Sequence, residues 1–139
     1  MLTRRGFAGF ASCAFCTITG FAATEASAAE GAPPATGLKR KLLSQIDGPT
    51  PGYVTIIFET ELEPGVMVVR HTHPGIESGY VLEGEFDLPI QGQPTHRLKA
   101  GDAYQVPAET PHAGIKTEQK VKITNTFVVE KGKPLTSPA

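Results

Sequence analysis

From Tyr53 onward the chain is a succession of short β-branched and aromatic runs, separated by turn residues at spacings of about 8 to 12. The runs cover residues 53–59, 66–73, 79–83, 85–90, 95–99, 102–106, 112–116 and 120–130. Between them stand Glu63-Pro64-Gly65, Pro74-Gly75, Gly84, Gln91-Gly92-Gln93-Pro94, Ala100-Gly101-Asp102 and the segment from Pro107 to Pro111. Glycine and proline at this density interrupt any helical period, and no stretch after Pro49 shows one. In the last run Val121, Ile123 and Phe127 alternate with Lys120, Lys122, Thr124 and Thr126, the period of a half-buried strand. An all-β sandwich or barrel is the expected fold.

The N-terminus reads differently. Met1-Leu2-Thr3-Arg4-Arg5-Gly6-Phe7 is a short basic start, followed by an uncharged stretch to Ala23 and a small-x-small pattern that places a cut after Ala28. The paired arginines resemble a twin-arginine export signal, so residues 1–28 are expected to be a signal peptide and the product periplasmic or secreted. The uncharged stretch is shorter than the roughly 20 residues of a spanning helix, which favours a cleaved signal over an anchor, and with no further long apolar run no membrane association is expected after cleavage. Cys13 and Cys16 leave with the signal, which excludes both disulfides and thiolate metal ligation in what remains. Removing Arg4, Arg5 and Glu25 from the 13 basic and 14 acidic residues leaves 11 against 13. That balance has no basic stripe and gives no electrostatic basis for binding nucleic acid. Residues 29–48 read as a Pro- and Gly-rich linker and a lead-in, with Lys39-Arg40-Lys41 a solvated run, and residues 49–139 as the barrel.

The chemistry lies in the histidines. On a strand, His71 and His73 point to the same face while Arg70 and Thr72 face away. Pro74-Gly75 turns the chain and Glu77 follows; Gly79 and Val81 share its face by alternation. Imidazole nitrogens and a carboxylate suit a borderline divalent metal such as Fe, Mn, Ni, Cu or Zn. His112 lies far along the chain, and only tertiary folding could bring it to the same ion. His96, near the 91–94 turn, reads as a surface or strand residue.

The spacing Gly65-x5-His71-x-His73-x3-Glu77-x6-Gly84 resembles the first motif of the cupin family at every defined position. Gly101-x5-Pro107, with His112 five residues later, is similar to the second motif. Two positions depart from it: Glu109 stands where the family usually has Gly, and Lys116 where it often has Asn. The resemblance implies a small double-stranded β-helix, or jelly-roll barrel, with one metal ion held by His71, His73, Glu77 and His112. Val66, Phe86 and Phe127 would then line the barrel. Three His and one Glu would leave one or two positions for water, O2 or a small-molecule substrate, an open site of the catalytic kind. Cupins include dioxygenases, isomerases, lyases, decarboxylases, sensors and storage proteins, and are commonly dimeric. The first expectation is therefore a metal-dependent, dioxygenase-like enzyme on a small oxygen-rich molecule, assembled as a homodimer. A non-redox isomerase or lyase, and a periplasmic metal- or ligand-binding protein without turnover, are the alternatives.

Overall fold

The computed structural model describes residues 36–112 and 116–139. The expected signal peptide lies outside those residues, as does most of the expected 112–116 strand. The described residues form nine strands: β1 (Leu38–Asp47), β2 (Tyr53–Leu62), β3 (His71–Thr72), β4 (Gly75–Glu83), β5 (Glu85–Leu88), β6 (His96–Lys99), β7 (Ala103–Val106), β8 (Val121–Glu130) and β9 (Ser137–Pro138). All pairings are antiparallel and no helix occurs among the described residues, as the all-β reading expects.

The main sheet has the order β1-β2-β8-β4-β7. Its inner face is written by alternation: Val121, Ile123, Asn125, Phe127 and Val129 of β8 are buried, with half-buried residues between them. The β5–β6 hairpin covers one part of this face, with Phe86, Leu88 and Leu98 packing onto Leu62, Val81, Val106, Val121 and Ile123. A second cluster gathers Val54, Ile56, Phe127, Val129 and Leu135. Val66, Phe86 and Phe127, expected to line the barrel, are all buried. Outside, Arg97 bridges Glu85 and Asp87, and His96 is exposed on β6.

The sheet departs from the sequence reading in four places. β1 lies inside the segment read as linker and lead-in, and pairs with β2 along its whole length. It is an edge strand, exposed at nearly every residue, and a bulge between Leu42 and Ser44 breaks its alternation. Neither burial nor period two therefore marks it. The expected 66–73 strand contracts to β3, because the backbone of Val66 closes a turn onto Glu63 instead of a ladder. β4 begins earlier than the 79–83 run, at Gly75. β9 comes from the tail and pairs with β3, Pro138 opposite His71.

Candidate metal centre

His71 stands at the start of β3 and His73 just after it, both buried, so the same-face reading holds. His112 reaches them through a bridge in which His71 and His112 exchange backbone hydrogen bonds, 2.9 and 3.0 Å. Glu77 enters from β4, buried beside the three rings. The three imidazoles bring their ligand nitrogens within 4.8 Å of one another.

Each ring is fixed by a backbone carbonyl. Nδ1 of His71 donates to Val69 O at 2.7 Å, Nδ1 of His112 to Thr110 O at 2.9 Å, and Nδ1 of His73 to Leu135 O. A carbonyl oxygen only accepts, so each Nδ1 carries the hydrogen and each Nε2 of a neutral ring presents a lone pair. His73 Nε2 lies 3.0 Å and His112 Nε2 3.2 Å from Glu77 Oε2. With neutral rings these are acceptors facing an acceptor, and His73 Nε2 is a buried atom without a donor. Such an arrangement needs a proton or a cation between the atoms. Bonds of about 2.1 Å place neighbouring ligands about 3.0 to 3.4 Å apart, so these separations fit one shared ion. His71, His73, His112 and Glu77 could hold it together.

The other oxygen of Glu77 is turned away. Oε1 accepts from Tyr104 Oη at 2.9 Å and from Asn125 Nδ2 at 2.7 Å, and Asn125 also donates to Tyr104 Oη at 2.9 Å. This pair orients the carboxylate so that only Oε2 faces the histidines. Tyr104 sits opposite Gly79 in the β4–β7 register. A Cβ at Gly79 would lie 2.6 Å from Tyr104 Oη and far inside contact with its ring carbons. The space that Gly79 leaves is thus filled by the tyrosine ring.

The electrostatics follow from burial and this pairing. Burial lowers His71 to about 4, which keeps its ring neutral near pH 7. Burial would raise Glu77, but hydrogen bonds and charge from His112 and His73 outweigh it and hold the carboxyl well below its ordinary range. Burial would lower His112, yet the same bond to Glu77 and the Thr110 carbonyl raise it. In the metal-free protein a proton on His112 can therefore occupy the place between Nε2 and Oε2. Burial and the Glu77 charge raise Tyr104 well above its ordinary value, so its hydroxyl is a donor and not a base. Arg40 is exposed as a residue, but its charged end is enclosed enough that burial lowers its pKa, against the attraction of Glu77.

The four residues line a cavity of about 60 Å³, with apolar walls from Leu62, Val68, Phe86, Leu88 and Ile123. Arg40, Thr60, Tyr104 and Asn125 line it too, and sequence reasoning singled out none of them. Asn125 alone carried a signal, as the one polar side chain in the inward series of β8. The motif glycines and Glu109 have a common cause. Gly84 has φ 81°, and a Cβ there would run into the carbonyl oxygen of Lys120, so a side chain is excluded twice over. Glu109 also has positive φ, 54°, which explains why the family places Gly there. Its N–H donates to His73 O at 2.9 Å, so the strained turn buttresses a ligand.

A small antiparallel barrel that brings three histidines and a carboxylate to one buried point is the class of protein these features define. The family model for the cupin domain matches residues 58–132, and the chain belongs to that family. Over 61 residues it is 44% identical to the HTH-type transcriptional regulator PuuR of Escherichia coli (strain K12), 43% of this chain and 32% of that one. The chain thus matches about a third of the length of that relative. Among solved structures it is similar to the polyketide cyclase RemF from Streptomyces resistomycificus, with TM-score 0.60, 24% identity, and coverage of 77% of this chain and 74% of the other. The DMSP lyase DddQ from Ruegeria pomeroyi DSS-3 gives TM-score 0.54 and 21% identity over 61% and 43% of the two chains. At these identities the likeness shows the fold.

Proposed function

We propose that the protein is an exported metal-dependent enzyme acting on a small oxygen-rich molecule, most simply as a dioxygenase. The observation that carries this is the convergence on Glu77 Oε2 of His112 Nε2 and of the buried, partnerless His73 Nε2, with each Nδ1 hydrogen committed to a carbonyl. A bound Fe, Mn, Ni, Cu or Zn ion would polarise an oxygen ligand, and a redox-active one would also hold O2 beside a chelated substrate. The chain's own residues supply the rest. Tyr104 and Asn125 fix the direction of Glu77, and apolar side chains form much of the cavity wall. Among the described residues the acid–base groups of the cavity are committed to Glu77 or to backbone carbonyls. No free base remains, which favours chemistry carried by an ion and O2 over proton abstraction by a side chain.

O2 uptake by iron-loaded protein with a panel of catechols, flavonols and diketones tests the reading. Substrate-dependent uptake that disappears in His73→Ala supports it. Conversion without O2 uptake would move the assignment to an isomerase or lyase. The similarity to a protein named as a transcriptional regulator favours one further reading, ligand binding without turnover, and tight binding with no conversion would establish that instead. Export is tested separately: Arg4→Lys with Arg5→Lys should retain an uncut chain in the cytoplasm, and normal processing would remove the twin-arginine proposal.

A further inference from the structure

Two polar groups of the cavity have no part in holding an ion. Thr60, on the inward face of β2, is 94% buried by its 6% exposure, and its Oγ1 has no hydrogen-bond partner among the described residues. A hydroxyl enclosed without a partner costs about 1 to 3 kcal/mol, so such groups are normally satisfied by something. Directly opposite it in the β1–β2 register stands Arg40. Opposed residues of an antiparallel pair share a face, so both side chains enter the cavity that they line with the histidines and Glu77. Among the described residues Arg40 has no carboxylate within ion-pair distance. The nearest candidate by charge, Glu77, has its Oε1 occupied by Tyr104 and Asn125 and its Oε2 turned to the histidines.

We propose that Arg40 and Thr60 form an anion subsite that receives the carboxylate of a small substrate whose other oxygens reach the ion. It rests on the metal-dependent reading above and narrows its substrate class to carboxylates that also chelate. Glu77 is the only carboxylate lining the cavity among the described residues. With a divalent ion in place, one arginine and one glutamate leave two net positive charges, which a chelating oxyanion and a carboxylate together neutralise. The planar guanidinium fork matches two carboxylate oxygens, and one hydroxyl donor completes a single anionic group. Among the described residues that line the cavity Arg40 is the one lysine or arginine, which suits a singly charged carboxylate better than a dianionic phosphate. The subsite was hidden in the sequence because Arg40 sits in a basic run that reads as solvated.

The test compares two chelators that differ only at the far end: N-hydroxysuccinamic acid, and 4-methylpentanohydroxamic acid, whose methyl groups replace the carboxylate oxygens. Both are titrated calorimetrically into zinc-loaded and metal-free protein, for the wild type, Arg40→Gln, Arg40→Lys and Thr60→Val. The wild type should prefer the carboxylate by about ten-fold or more, the yield of one charge-assisted bond pair. Arg40→Gln should bring the ratio near one and leave the neutral hydroxamate unchanged, which also shows that the variant is folded. Arg40→Lys should keep part of the preference, and Thr60→Val should reduce it. Binding of both probes with no preference, or a preference that survives Arg40→Gln, overturns the subsite and leaves the metal reading standing. An Arg40-dependent preference with neutral-probe affinity indifferent to zinc keeps the subsite and removes the metal reading. No binding of either probe to either form overturns both.

Discussion

Gly79→Ala should damage the candidate site through Tyr104, a residue it faces across two strands. The added Cβ would fall 2.6 Å from Tyr104 Oη and closer still to the ring, so the ring must leave or the strands must part. Parting the strands would strain the β4–β7 ladder, at about 1 to 3 kcal/mol for an overpacked site. Moving the ring would sacrifice its edge contact with Phe86, at 6.2 Å between centroids, and its bond to Glu77. A bond to a charged acceptor is worth about 1.5 to 3 kcal/mol. Depending on the route, the metal-free barrel is destabilised by about 1 to 4 kcal/mol. The assay is urea unfolding after chelator treatment, for the single variants and for the double variant with Tyr104→Ala. Without the ring the sign should reverse, because Ala is favoured over Gly inside a strand by roughly 0.5 to 1 kcal/mol. Metal affinity should also drop by about 10- to 100-fold in Gly79→Ala, since Glu77 loses a partner that orients it. A neutral Gly79→Ala in the wild-type background, or an equal cost in both backgrounds, would refute the reasoning.

Glu109→Gly should stabilise the protein: the left-handed backbone costs a non-glycine residue about 1 to 2 kcal/mol, and the entropy of glycine offsets about half. A gain of about 0.5 to 1 kcal/mol, a few degrees by calorimetry, is expected, and a loss would mean that the Glu109 side chain does work at the cavity rim. Metal affinity should weaken on acidification. Below the raised pKa of His112 its imidazolium competes with the ion, about ten-fold per pH unit, and the slope steepens once His71 protonates at about 4. Titration with a competing chelator from neutral pH down past the His71 pKa of about 4 measures this, and a flat profile would contradict it. A homodimer through the outer face of the main sheet is expected, because Leu43 and Ile46 of edge strand β1 are 47% and 66% exposed and Ile46 shares a row with Thr55, Val128 and Ile76. Light scattering at tens of micromolar (roughly where a stable dimer stays paired) should show it, and Ile46→Glu should give monomers; a monomeric wild type would remove the idea.

The candidate ligands could be picked out of the sequence because ligation needs particular residue types at particular spacings, and the structure brings the three histidines together. His71, His73 and Glu77 sit within seven residues around a marked Pro-Gly turn, and His112 follows a turn whose prolines mark it. The sequence carried β8 equally well, since that strand is buried on one face and solvated on the other. What it did not carry was the environment of the ligands. Tyr104 and Asn125 reach Glu77 only through the β7-β4-β8 order, and Leu135 reaches His73 only because the tail folds back as β9. No local pattern encodes those long-range pairings. β1 was hidden for another reason: an edge strand is held by backbone hydrogen bonds, which leave no trace in side-chain polarity, and its bulge shifts the alternation partway along. Arg40 and Thr60 went unread with it.

The central claim, one ion shared by three histidines and Glu77, is tested most directly by metal stoichiometry. Protein purified from its native host, without added metal or affinity-tag histidines, is analysed for Fe, Mn, Ni, Cu and Zn against protein concentration. The wild type should carry about one ion per chain, and His73→Ala, His112→Ala and Glu77→Gln should each fall well below that, because every one removes a first-sphere donor. His96→Ala, on the exposed hairpin, should keep the wild-type value. Full stoichiometry in all three ligand variants would place the ion elsewhere, and no metal in the wild type, even after incubation with each ion, would contradict the account.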